Sequence, residues 1–235
     1  MRKPYYFEQV KSRRQIADFR YGYHWNAGRK TPISTEYTKQ ALTISCYRGS
    51  EMVGGFCMNV VEWQPLRHAM PFTPEQWEGL QVEKDISEKD ILEIGGLWTE
   101  KGLSGFRKLV LYAQMIIIAH EQARLQNKKY IMCGTHVKAL RPFMHRVMRK
   151  IVYDGYCKLG DRDEWVTLFA ARTEGLFLWA SVQILQRFVF GWLRKLLGRS
   201  SDSSHHKNLT KLTPTARFSV RKMPRRGRSE RATRR

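Results

Sequence analysis

The chain has 235 residues, enough for one good-sized domain with an appendage and too few for two full ones. Its 42% hydrophobic content and seven Trp suffice for a packed core, which excludes a wholly disordered chain. The net charge of +21 is uneven: residues 199–235 hold twelve Lys and Arg against only Asp202 and Glu230, which implies a polyanionic partner such as nucleic acid, anionic lipid or an acidic protein.

In chain order, Tyr5 to Val10 alternates weakly and predicts an edge strand. Ile16, Phe19 and Tyr23 recur at helical spacing behind Ser12, a candidate N-cap, so the second element is a helix. Gly28 to Thr35 breaks it. "ALTISCYRGSEMVGGFCMNVV" predicts two antiparallel strands joined by a Gly-Ser turn. Residues 62–90 are loop-rich, with Pro65, Pro71 and Pro74 and a short helical stretch over Pro74 to Leu80. Asp90 to Trp98 is the next strand and Gly102 to Gln126 a long helix. "KKYIMCGT" is a short apolar run of the kind that fills the middle of a sheet. "VKALRPFMHRVMRKI" predicts a short helix with Pro142 in its first turn, where a missing N–H does no harm. "VYDGYCKLG" and "EWVTLFAAR" predict two closing strands. Strand, helix and strand over Asp90 to Thr135 form a βαβ crossover between antiparallel hairpins, so the expected sheet is mixed, with flanking helices.

Cys46, Cys57, Cys133 and Cys157 are scattered, and "MRKPYYFEQVKSRR" has no apolar core of a secretory signal; both predict a reduced, cytoplasmic protein. No metal site is expected, because apart from the adjacent pair His205 and His206 the histidines fall at no ligand spacing. Neither G-x-x-x-x-G-K-[ST] nor G-x-G-x-x-G is present, which argues against a nucleoside triphosphatase or a dinucleotide enzyme. What stands out is "TEKGLSGFRK", a glycine-containing basic loop between the fourth predicted strand and its long helix. A helix N-terminus offers unpaired N–H groups and partial positive charge, so such a loop either cradles a phosphate or merely connects two elements.

With this element order the loop resembles that of the GNAT acyltransferase superfamily, over roughly Phe7 to Ala171. The layout is most similar to acyl-homoserine-lactone synthases and long-chain N-acyl amino acid synthases. Three stretches carry the resemblance: "DFRYGYHW" in the early helix, "SEMVGGFCMNV" leading into a Pro-rich segment, and "EKDISEKDILEIGGLW". The family strand reads E-x-x-R; Glu93 matches its Glu, and Gly96 stands where the Arg would be. The resemblance implies transfer of an acyl group from acyl-CoA or acyl carrier protein to an amine, with no metal. It implies donor binding by Leu97, Trp98, Thr99, Lys101, Gly102, Leu103, Ser104, Gly105, Phe106 and Arg107, and acceptor contacts from Arg20 and Trp25.

Amide formation from a thioester needs a base for the amine and donors for the oxyanion. Glu93 is the expected base, its pKa raised by apolar Ile91, Ile94 and Leu97; a structural carboxylate bonded to Arg20 is the alternative reading. Glu62 is the competing base. Tyr153 or Tyr156 is the expected acid, and His136, past the "YIMCGT" strand, a possible substrate contact. Gly95 and Gly96 suit either a bulge that frees a backbone N–H or close packing against a helix.

The expected domain covers residues 1–174. Residues 175–198 read as an amphipathic helix, either lying in a membrane interface with Trp179 and Trp192 at headgroup level and Arg194, Lys195 and Arg199 toward anionic lipid, or packed on its own domain or a dimer partner. Residues 199–235 read as a disordered polybasic tail that would bind anionic lipid or nucleic acid. The expectation is thus a cytoplasmic acyltransferase, peripheral on the inner membrane face. The alternative is a nucleic-acid-associated protein of the same fold, either modifying a nucleobase or binding through the tail.

Overall fold

The computed structural model describes residues 4–27, 32–159 and 162–176. The strands are β1 (Tyr5–Gln9), β2 (Leu42–Arg48), β3 (Glu51–Asn59), β4 (Ile91–Thr99), β5 (Tyr130–Thr135), β6 (Lys150–Leu159) and β7 (Arg162–Arg172). They form one sheet in the order β1-β2-β3-β4-β5-β7-β6. Only β4 and β5 run parallel, and the other neighbours are antiparallel, so the sheet is mixed as expected.

The helices are α1 (Arg13–Asn26), α2 (Thr35–Gln40), α3 (Pro74–Lys84), α4 (Gly105–Leu125) and α5 (Arg141–Met148). Ser12 caps α1 in a capping box with Gln15, which satisfies two amide donors at the helix start. Along α4, Leu111, Met115, Ala119 and Ala123 recur every fourth position and are buried against Leu92, Ile131 and Phe169, with α5 adding Val147 and Met148. Side chains alternate along a strand, so Ile91 and Glu93 face the other side of the sheet. There Phe19, Tyr23, Tyr37 and Trp98 form one cluster, and Leu66, Trp77, Ile91 and Met132 another.

Several elements differ from expectation, and the short helix α5 ends at Met148, with Lys150 and Ile151 already in β6. Thr35–Gln40 is a helix, capped by the Ser34 side chain, and its six residues are too few to show periodicity. The stretch from Pro74 continues to Lys84 under a second capping box, Thr73 with Gln76. The long helix begins at Gly105 rather than Gly102, because Ser104 caps it. The expected amphipathic helix, beyond its first two residues, and the basic tail lie outside the described residues, as does every expectation about membrane or nucleic acid attached to them.

Gly22 sets how closely α1 approaches the sheet. A Cβ there would stand 2.3 and 2.4 Å from two carbons of the Trp98 indole. Trp98 is 3% exposed and is held edge-on by Phe19, so it has little room to yield. Gly22→Ala therefore destabilises the domain by about 1–2 kcal/mol, overpacking outweighing the gain in helix propensity. Thermal unfolding of the variant checks this.

Candidate active site in a split of the sheet

β4 pairs with β5 only from Ile91–Tyr130 to Ile94–Cys133. Both strands continue, β4 to Thr99 and β5 to Thr135. Beyond Ile94, no described strand pairs with β4 on that side, so the sheet opens between two parallel strands. On its other side β4 carries a bulge: Gly55 faces Trp98 and Cys57 faces Gly95, which sets Gly96 and Leu97 against the single residue Phe56. Gly96 has φ +59°, a conformation that glycine adopts without a Cβ penalty. The bulge is present, and Gly95 also lies under the Tyr37 hydroxyl and Gly96 against Ile33.

The loop after β4 leads to α4 at the open end of this split. Leu103 is buried in the core and anchors the loop, while Lys101, Gly102, Ser104 and Gly105 are exposed. Lys101 N donates to Asn26 Oδ1 (3.1 Å), which ties the loop to α1, and Lys108 Nζ donates to Lys101 O (3.1 Å). A Cβ on Gly102 would meet only Glu100 Oε1, at 4.0 Å, and one on Gly105 nothing within 4 Å. Packing of the chain demands neither glycine, and together they leave clear ground before the helix N-terminus. Arg107 stands half-buried in the first turn and Phe106 is 57% exposed. Thr99 is buried, with its hydroxyl 3.2 Å from that of Tyr112. The Trp98 side chain points to the α1 face, and Leu97, on the bulge, is partly exposed.

Glu93 sits on β4 one residue before the end of the paired region and is fully buried. The segment after β3 folds across it. Arg67 N donates to Oε2 (3.0 Å) and His68 N to Oε1 (2.6 Å); the Tyr37 hydroxyl donates to Oε2 (2.8 Å), with Asn59 Nδ2 at 3.5 Å. His68 Nδ1 lies 2.7 Å from Oε1, although the ring N–H points off that line. Burial pushes the Glu93 pKa up, but its interactions with His68 and the hydrogen bond from Tyr37 outweigh it and hold the carboxyl at about 2. The expected rise is thus reversed: apolar neighbours are present, but the donors dominate. Glu93 is a fixed anion and a weak proton acceptor.

Arg20 does not reach Glu93. Its Nε donates to Ile33 O (3.0 Å) and its Nη1 to Thr35 Oγ1, which clamps the approach to α2. Trp25 lies farther along α1, 44% exposed, edge-on to Tyr21 and His24. Glu62 pairs with Lys128 Nζ (2.6 Å), which also donates to Lys89 O (2.7 Å); these lysines precede β5 and β4, so Glu62 stands at the end of the sheet opposite the split. Tyr153 is on β6, three strand spacings or about 14 Å from β4, and its hydroxyl donates to Tyr156 O. Its pKa is raised by burial. His136 follows β5 on the split side, half-buried. The structure thus brings Glu93 and the 97–107 loop to one opening and sets Glu62 and Tyr153 apart from it. Tyr37, Arg67 and His68 join Glu93 without having been singled out in the sequence; a buried Glu in "ILEIGG" required donors, but nothing local named them.

Burial pushes the thiols of Cys46, Cys57 and Cys133 up to about 12. None of these offers a thiolate for a covalent acyl intermediate. Among the described residues no cluster of three or more His, Cys, Asp or Glu could hold a metal ion, and no helix is long and apolar enough to cross a membrane.

No protein-family model matches the sequence, and no curated protein matches it. Solved structures do. FeeM, an N-acyl amino acid synthase from uncultured soil microbes, superposes with a TM-score of 0.55 at 10% identity, over 74% of this chain and 94% of that one. The AHL synthase LasI superposes with a TM-score of 0.55 at 10% identity, over 76% of this chain and 94% of that one. The mixed sheet of seven described strands with its flanking helices is a GNAT-like α/β fold, similar to that of N-acyl amino acid and AHL synthases.

Proposed function

We propose that the protein is an N-acyltransferase that moves an acyl group from acyl-CoA or acyl carrier protein to the amine of an amino acid or related small molecule. One observation carries this reading: the β4–β5 split, opening beside a basic glycine loop at the N-terminus of α4. A parallel pair that separates exposes strand N–H and C=O groups, which suit the amides of a pantetheine arm. The α4 N-terminus with Lys101, Arg107 and Lys108 suits the phosphate end of that arm. Both donor classes present such a phosphate, and the basic surface suits an acidic carrier protein.

The test is product analysis. The full chain is incubated with octanoyl- or palmitoyl-CoA, or the same acyl groups on carrier protein, together with an amino acid mixture. Mass spectrometry should find N-acyl amino acids; the absence of any acylated amine with every donor would sink the proposal. Arg107→Ala should weaken donor binding roughly tenfold or more through loss of a charge-assisted phosphate contact. Calorimetric titration with CoA checks it, and an unchanged Kd would remove the loop from the donor site.

A further inference from the structure

We propose that His68, held by Glu93, is the proton-transfer residue of this site; the inference rests on the acyl-transfer reading above. Two glycines define the first level of the split, Gly95 on β4 and Gly134 on β5, each one residue past the last pairing, Ile94 with Cys133. A polar group stands over each. A Cβ on Gly95 would lie 3.1 Å from the Tyr37 hydroxyl, and a Cβ on Gly134 would lie 2.9 Å from His68 Nε2 and 2.8 Å from Cδ2. Both groups are tied to the same carboxylate, Tyr37 to Oε2 and His68 to Oε1. The missing side chain at residue 134 therefore keeps room for an imidazole at the head of the opening.

The two edges of that imidazole differ. Nδ1 is buried against Glu93 Oε1, and the side chain as a whole is 15% exposed. Among the described residues Nε2 has no hydrogen-bond partner, and it is the edge that borders Gly134. A histidine that served packing alone would have no need of one nitrogen on a fixed anion and the other left for a ligand. Backbone N–H groups of Arg67 and His68 bond the same carboxylate, which fixes the main chain that carries the ring. Catalytic hydrogen bonds are often poorly aligned before substrate binds and tighten in the complex.

Chemically, a proton on Nδ1 facing Glu93 leaves the Nε2 lone pair free. The amine nitrogen attacks the thioester carbonyl carbon and forms the C–N bond. Nε2 takes the proton that the nitrogen sheds. As the tetrahedral intermediate collapses the C–S bond breaks, and the same proton passes from Nε2 to the departing sulfur, which leaves as thiol. Glu93 keeps its charge throughout and offsets the cost of the transient imidazolium. It is a positioning residue, and so is Tyr37, whose hydroxyl is committed to Oε2.

The test compares the full chain with His68→Ala and His68→Gln in the product assay above, with melting temperature and CoA affinity measured on each. Loss of a general base predicts a fall in kcat of roughly 100-fold or more. CoA affinity should stay unchanged, and added imidazole should restore part of the turnover of His68→Ala. Undiminished turnover in either variant would overturn the proposal while leaving the acyltransferase reading standing. Lost turnover with a lowered melting temperature and no imidazole rescue would equally overturn it, marking His68 as structural. A folded, unaltered chain that acylates no amine would overturn both.

Discussion

Glu93→Gln should destabilise the folded domain by about 3 kcal/mol at neutral pH, the scale expected when one partner of a buried charged network is removed. Gln keeps the shape of Glu but supplies one acceptor oxygen and an NH2 group. The two carboxylate oxygens receive Arg67 N, His68 N and the Tyr37 hydroxyl, with His68 Nδ1 beside them. Whichever way the amide turns, its NH2 faces donors, and at least one of them is left buried without an acceptor. For a domain of this size the loss corresponds to a drop in Tm of roughly 6–12 °C.

The effect should depend on pH in a set direction. The Glu93 pKa is lowered from 4.5 to about 2 in the fold. A depressed carboxyl contributes stability that is complete above its ordinary value and is lost as pH falls through the folded one. The gap between wild type and Glu93→Gln should therefore be widest above about pH 5 and narrow steadily toward pH 2. Denaturant unfolding at pH 7 and pH 3 measures it; a gap of equal size at both would mean that the carboxylate is not held by these donors. This loss of stability also means that lost turnover in Glu93→Gln cannot by itself identify a base, which is why His68 is the more informative substitution.

Gly96→Ala should cost about 2–3 kcal/mol, combining left-handed strain with overpacking. At φ +59° a Cβ would stand 2.9 Å from Ile33 Cδ1, 3.5 Å from Cys57 Sγ and 3.6 Å from Phe19 Cζ. Ile33, Cys57 and Phe19 are all buried in the cluster between α1 and the sheet, so none can yield without disturbing the others. The alternative response is to remove the bulge, and that would realign β4 past Gly95 and shift the slot edge. Thermal unfolding should show the cost, and calorimetry a weakened CoA affinity. A variant with unaltered Tm and affinity would show that neither stability nor donor binding requires the bulge.

Much of the fold was legible because its principal elements are long and regular. The β2–β3 hairpin, β4 and the periodic α4 could be read from alternation or fourfold spacing, and their order implied a crossover within a mixed sheet. The loop of residues 97–107 was legible because it is local, a single stretch of basic and glycine residues between two clear elements. The surroundings of Glu93 were not. Tyr37 lies 56 positions away on a six-residue helix, and His68 lies 25 positions away in a segment with no periodicity. Their convergence depends on how α2 and the 60–73 segment fold back over β4. The same blindness made Glu93 look like a carboxyl surrounded by Ile and Leu, when three close donors and an imidazole decide its charge. Tyr153 and Glu62 looked plausible because sequence order conceals which strand lies at the sheet edge and which end of a strand a turn occupies.

The most direct test of the split as a donor site is a crystal structure with a thioether analogue of acyl-CoA, which cannot transfer its chain. The sulfur should lie between Gly95 and Gly134 beside His68 Nε2, with the phosphates at the 101–107 loop and the acyl chain entering the opened sheet. An analogue bound anywhere else on the chain, with β4 and β5 unoccupied, would contradict the assignment.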